Sequence, residues 1–321
     1  MDNEEYILDV PFTVEEAEKV IKRLRRRKAP GPDSLLAEHL IEGGQSVVIC
    51  LANILNAIID LEAIPDYFKS GLVVPVYKGS GKDPLKTDSY RGITLSPVFS
   101  KVLEFLILDR LEMVFMECNV PHVNQSAYMK KLSCADAIFA TQEVIARYLK
   151  GGSRVYMCLY DLQKAFDLIE YPVLLKRLYD LGVNGKCWRI IKSWYENASC
   201  KVKLDEGVFS ESYPVERGVK QGSVLSPALF LLVMDPLLQS SGVGLSINNF
   251  YASGFLHADD IRTVATSPES LEDQVTIVNT FASENFLRLN INKCEIVPFS
   301  HSKKSGQQPH CEVNGAAIPV S

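Results

Sequence analysis

The chain has 321 residues, 47% hydrophobic and 23% charged, and its 34 Lys and Arg against 39 Asp and Glu give a formal net charge of −5. Such a composition belongs to an ordinary globular protein, and the acidic balance excludes one that coats nucleic acid indiscriminately, because phosphate binding shows as basic excess. The eight cysteines are scattered without a Cys-x-x-Cys pair, so neither a zinc centre nor a disulfide framework is expected.

The first residues, Met1-Asp2-Asn3-Glu4-Glu5, are acidic where a secretory leader is basic and then apolar, which predicts an intracellular protein. Thr13 followed by Glu16 is a capping-box pattern, and Val14, Ala17, Val20, Ile21 and Leu24 recur at helical spacing. The helix is expected to run to the breaker-rich Ala29-Pro30-Gly31-Pro32. Its basic run, residues 22–28, reads equally as a solvated helix end or a phosphate contact. Apolar periodicity predicts a further helix over residues 47–61. Asn53 and Asn56 interrupt its apolar stretch, which falls short of the roughly 20 residues that span a bilayer. Residues 71–76 form a β-branched run ending at a glycine-rich turn and read as a strand. Helices follow over 98–115 and 133–149, the second opened by another capping box, Ser133 and Asp136.

From Val155 the pattern changes. Residues 155–160 are strand-like and run into Asp161; Pro172 and Gly182 bracket a helix, and another follows over 186–195. Strands are expected at 200–204 and 213–215, then a helix opened by Ser226-Pro227. Residues 250–256 and 261–264 flank Ala258-Asp259-Asp260 as a hairpin, and Ser267-Pro268 starts an amphipathic helix with Leu271, Val275, Val278 and Phe281 on one face.

The chemistry concentrates in three places. Adjacent Asp259 and Asp260 at a tight turn put two carboxylates where they repel one another, and a small hard cation such as Mg²⁺ takes carboxylate oxygens together with substrate phosphates. Alone this is weak, since solvated turn residues are commoner. Asp161, delivered by another apolar strand, supplies a second acidic site that could share a metal pair with the first. Between them lies Gly218-Val219-Lys220-Gln221-Gly222-Ser223-Val224-Leu225-Ser226-Pro227, a glycine-bracketed loop that opens onto a helix and lets backbone approach a ligand closely.

These segments resemble, in order, the motifs of the reverse transcriptases of non-LTR (LINE-type) retrotransposons. Lys28-Ala29-Pro30-Gly31-Pro32-Asp33 is similar to the family's opening block, Tyr90-Arg91-Gly92-Ile93-Thr94-Leu95 to its "YRPISL" segment and Gln125-Ser126-Ala127-Tyr128 to its "Q-x-G-F" segment. Asp161 to Asp167 resembles the first palm motif, the 218–227 loop resembles "GVRQGSPLSP", and His257-Ala258-Asp259-Asp260 resembles "YADD". Leu289-Asn290-Ile291-Asn292-Lys293 resembles the Asn-Lys block that follows.

The resemblance implies an α+β right-hand polymerase: helix-rich fingers with an N-terminal extension over residues 1–150, and a palm over 151–321 with a small antiparallel sheet backed by helices, stopping before a thumb. It implies an RNA-directed DNA polymerase that adds deoxynucleotides to a primer 3′-hydroxyl, using two Mg²⁺ ions, an RNA template, a DNA primer and deoxynucleoside triphosphates. The site of action would be the nucleus, with no membrane involved and the remainder of a longer polyprotein as partner. Asp161, Asp259 and Asp260 would be the catalytic carboxylates and metal ligands, with the Leu162 carbonyl as a further ligand. Phe166 would lie beneath the incoming sugar, where its bulk argues against an RNA-synthesising polymerase. Lys78 and Arg91 would face the triphosphate, Gln221 and Gly222 the nucleotide and template, and Lys293 would act near the pyrophosphate as proton donor. Departures are His257 for the family's tyrosine, Gly92 and Val224 for prolines, and Ala127 for glycine. Without a thumb, a weak or inactive enzyme is expected. The alternative is a domesticated remnant that binds nucleic acid or a partner without turnover.

Overall fold

The first helix forms because Thr13 and Glu16 satisfy each other's backbone. In a computed structural model describing residues 8–79, 81–129, 132–205, 207–239, 245–247, 250–252, 254–300 and 309–321, Thr13 Oγ1 accepts the Glu16 N–H at 3.1 Å, and Glu16 Oε2 accepts the Thr13 N–H at 2.8 Å. The helix, Val14–Arg23, ends well before Pro30. The basic run is therefore split: Lys22 and Arg23 close the last turn, while Arg27 lies beyond it with a left-handed φ of 57°. The chain divides into two compact units, Met1–Cys118 with Tyr171–Leu229 and Asn119–Glu170 with Phe230–Ser321.

In the first unit, Val14–Arg23 packs on Gly44–Leu61 and on Val98–Glu117. Arg110 of the last helix is buried. Its guanidinium donates to the carbonyls of Val10 and Pro11, pairs with Glu16 at 3.2 Å and stacks 4.2 Å over the Phe12 ring. Gly44–Leu61 is longer than its interrupted apolar stretch implied, and by length and composition it could cross a membrane. Here it buries Val48, Leu51, Leu55, Ile58 and Ile59 and packs against Val14–Arg23 and Lys186–Tyr195, as a core helix does. The unit's sheet runs in the order Tyr90–Leu95, Ser70–Tyr77, Ser199–Asp205, Val208–Phe209, with Tyr213–Pro214 also pairing Ser199–Asp205. Tyr90–Leu95 is antiparallel to Ser70–Tyr77, with Arg91 opposite Val76 and Gly92 opposite Pro75.

The second unit is built on a four-stranded antiparallel sheet in the order Glu295–Phe299, Val155–Tyr160, Asp260–Ala265, Phe255–His257. Val155 and Val264 pack with Val144 and Ile145 of the helix Cys134–Lys150 and with Leu245 and Phe255. The helix Pro268–Glu284 buries Leu271, Val275, Val278 and Phe281 as expected and packs on the same two central strands. Two differences from the sequence reading have local causes. The expected strand over 250–256 is two strands: Phe250–Ala252 pairs with Leu245–Ile247, and Phe255–His257 joins the main sheet. Glu295–Phe299 is a strand where the sequence reading placed no element; its Pro298 is accommodated because the strand lies at the sheet edge, where a missing N–H is tolerated.

Candidate functional site

The acidic site belongs to the second unit. Val155–Tyr160 delivers Asp161 at its C-terminal end, and Asp260 opens the neighbouring strand, whose Ile261 is paired with Tyr160. Antiparallel register therefore sets Asp260 alongside Asp161. Asp259 precedes it in the two-residue turn between His257 and Asp260, where Ala258 adopts φ 57°. A non-glycine residue in that region is strained unless its surroundings hold it. Gln125 does so: its buried Oε1 accepts the Ala258 N–H at 3.1 Å and the Ala127 N–H at 3.0 Å. Ser126 Oγ meets His257 Nδ1 at 3.0 Å, and the backbone around Gln125 bridges Leu256. The 125–128 motif is thus a brace for the Asp-Asp turn, and His257, where the family has tyrosine, is tied into it.

Burial pushes the Asp259 carboxyl above the usual range, and the charges of Asp260 and Asp161 push it further. Asp259 thus feels both of the other carboxylates. Among the described residues no three His, Cys, Asp or Glu side chains gather closely enough to hold a metal ion by themselves. Asp161 instead faces a cation of the chain. Lys293 Nζ lies 3.1 Å from both of its oxygens, and Asn290 Nδ2 donates to Oδ2 at 3.0 Å. The 289–293 block is docked by backbone as well, through the Leu162–Leu289 bridge and the Asn290 N–H to the Asp161 carbonyl at 2.8 Å. Phe166, half-buried, stacks on the fully buried Phe230 with centroids 4.3 Å apart and planes 8° from parallel. A cavity of about 700 Å³ lies against this sheet, walled by apolar side chains such as Ile138, Met157 and Phe299 and reaching Asp161, Asp260 and Lys293.

The remaining sequence candidates lie in the first unit. Arg91 is exposed on its strand, and Lys78 Nζ donates to the Asp88 carbonyl at 2.7 Å. The Gln221 carbonyl accepts the Thr94 N–H at 2.6 Å, and Gly222 has φ 113°, with a Cβ there falling 2.8 Å from the Thr94 carbonyl. Only glycine fits that conformation and that approach. Gly31 of the 28–33 motif is as tightly placed: its Cβ would fall 2.6 Å from the Ser96 backbone. Three of the motifs thus meet at the end of one strand.

Sequence reasoning missed Glu104, Asn290 and the role of Gln125. Glu104 left one legible signal, a carboxylate among Leu103, Leu106 and Ile107 on the apolar side of a long helix. It is 1% exposed, and its Oε2 accepts Ser223 Oγ at 2.8 Å and the Val224 N–H at 2.6 Å. Burial raises this carboxyl above its ordinary 4.5, opposed by those two donors and by the Lys220 charge. A carboxyl whose folded pKa is raised contributes stability that is fully present below the unfolded pKa and lost as pH rises through the folded one. Unfolding stability from pH 4 upward should therefore fall less steeply in Glu104→Gln than in the parent; identical slopes in urea titrations would contradict this.

The family model described as reverse transcriptase (RNA-dependent DNA polymerase) matches residues 78–312. The RNA-directed DNA polymerase from mobile element jockey of Drosophila funebris is 26% identical over 315 residues, 96% of this chain and 34% of that protein. The Drosophila melanogaster counterpart is 27% identical over 98% of this chain and 35% of its own length. The putative 115 kDa protein of type-1 retrotransposable element R1DM, also from Drosophila melanogaster, is 28% identical over 86% of this chain and 26% of its own. The chain thus spans about a third of the two jockey proteins, 34% and 35%. Among solved structures, apo telomerase from Candida tropicalis truncated of its C-terminal domain superposes with TM-score 0.51 at 14% identity, over 82% of this chain and 57% of that one.

Proposed function

The chain belongs to the reverse transcriptase (RNA-dependent DNA polymerase) family, with relatives among the non-LTR retrotransposon enzymes, and we propose that it is an RNA-directed DNA polymerase with its fingers in residues 1–150 and its palm in residues 151–321. The observation that carries this reading is the placement of Asp161 and the Asp259-Asp260 turn at adjacent ends of two paired strands.

The donor types fit Mg²⁺, since three carboxylates offer the hard oxygens it takes together with substrate phosphates, and because they are not gathered closely enough to hold an ion by themselves, the substrate's phosphates would complete the site. Asp161, Asp259 and Asp260, with the Leu162 carbonyl, would hold the ions. When bound, such ions lower the pKa of an attacking hydroxyl and offset charge on the leaving oxygen. The chain's own part is positioning, which dominates phosphoryl transfer. Gln125 fixes the Ala258 backbone, and so the direction in which Asp259 and Asp260 point. Phe230 fixes the ring plane of Phe166, which would bar a ribose 2′-hydroxyl. Lys293, now paired with Asp161, carries the ammonium proton that could be given to departing pyrophosphate. From the motifs we assign Lys78 and Arg91 to the polyphosphate, and Gln221 and Gly222 to nucleotide and template.

The test is primer extension on an RNA template, run with this chain and with the chain carried on through its downstream reading frame. Mg²⁺-dependent incorporation of deoxynucleotides by either is expected. Templated incorporation that is indifferent to Asp161→Asn would contradict the assignment. Template and primer binding with no incorporation by either would favour a remnant that binds without turnover.

A further inference from the structure

The 218–227 loop is held from behind at consecutive points, all inside the first unit. Lys220, 8% exposed, sends its ammonium inward to the Lys69 carbonyl at 2.5 Å. Gln221 takes the Thr94 N–H, and Ser223 and Val224 both donate to one oxygen of Glu104. Gly222, the exposed residue with φ 113°, sits between these clamps. A carboxylate buried to 1% is costly unless its hydrogen bonds are satisfied, and both donors that satisfy this one come from the same loop. Ser226, at the loop's end, adds a buried Oγ beside the same cluster. The cavity enclosed by Glu104, Lys220 and Ser226 is about 10 Å³, room for at most a water, so the cluster is not itself a ligand site.

We propose that Glu104 is a positioning residue for the 218–227 loop: its carboxylate holds Ser223 and Val224 so that the Gly222 backbone presents one fixed face. Glu104 touches no reacting group and acts only through the loop. That the loop lines the nucleotide rests on the function proposed above; that Glu104 holds it rests on the geometry alone.

Hydrogen exchange separates the two. In Glu104→Ala, amide exchange at Val224 and Leu225 should accelerate by about 10-fold, the loss of a buried hydrogen bond, while exchange in the Val155–Tyr160 strand stays at its parental rate. Glu104→Gln keeps an acceptor oxygen in the same place and should restore most of the protection. Ser223→Ala, which leaves Glu104 and the core intact, should accelerate the Val224 amide in the same direction by a smaller factor, and it decides the matter if Glu104→Ala does not fold. In an extension-competent form, Ser223→Ala should raise the deoxynucleotide KM several-fold with kcat nearly unchanged. Parental loop protection in Glu104→Ala, or in Ser223→Ala where the former is unfolded, would overturn the proposal. Faster loop exchange with no incorporation by either this chain or its downstream-extended form would leave Glu104's role standing and remove the proposed function.

Discussion

Asp259→Asn is expected to lower RNA-templated incorporation by at least about 10³-fold while leaving the protein as stable as its parent, or more so. The activity loss follows from the weight that preorganised charge carries in such reactions, where removing a single stabilising group costs about 10²–10³ in kcat, and a metal ligand affects the whole charge balance. The stability result follows from the site's electrostatics. The Asp259 carboxyl is raised by burial and by two neighbouring negative charges, so the ionised group works against the fold. Asn keeps the shape and removes the charge. The Ala258 turn, braced by Gln125, should keep its conformation. A variant that loses activity together with several degrees of melting temperature would mean that Asp259 is structural.

The second large effect distinguishes two stacked rings. Phe230 is fully buried, and Phe230→Ala should destabilise the second unit by about 3–5 kcal/mol, the range for deleting a core aromatic. Phe166 is only half-buried and covers Phe230 with one face, so Phe166→Ala should cost less, about 1–2 kcal/mol for the partly solvated surface it gives up. Its functional consequence should be the larger: discrimination against ribonucleotides should fall by on the order of 10²-fold, as a wall against the 2′-hydroxyl is removed. Parallel urea titrations and competition assays with ribo- and deoxynucleotides check both arms. Unchanged discrimination in Phe166→Ala would place the sugar gate on another residue.

The elements that announce themselves locally were legible. Thr13 and Glu16, Ser133 and Asp136, and Ser267-Pro268 mark helix starts that the structure reproduces, because capping depends on residues three apart. Asp161 and the Asp-Asp turn were legible because strand ends and tight turns are short-range signals. What escaped depends on distant partners. Gln125 earns its place only by facing Ala258, 133 residues on, and Glu104 only through Ser223 and Val224, about 120 residues on. Likewise, no spacing rule joins Lys293 to Asp161 across 132 residues. The end of the first helix was misjudged for a related reason. Arg25 to Lys28 have adequate helical propensity, but the chain leaves the helix at Leu24, and Glu38 accepts the Arg27 N–H instead.

The most direct test of the acidic site is a crystal of the protein soaked in Mn²⁺ and a deoxynucleoside triphosphate, with the metal located by its anomalous scattering. The account predicts metal about 2.1 Å from oxygens of both Asp161 and Asp259, with Lys293 displaced from the 3.1 Å pairing it makes with Asp161 in the free chain. Metal bound elsewhere at full occupancy, with Lys293 still seated on Asp161, would contradict it.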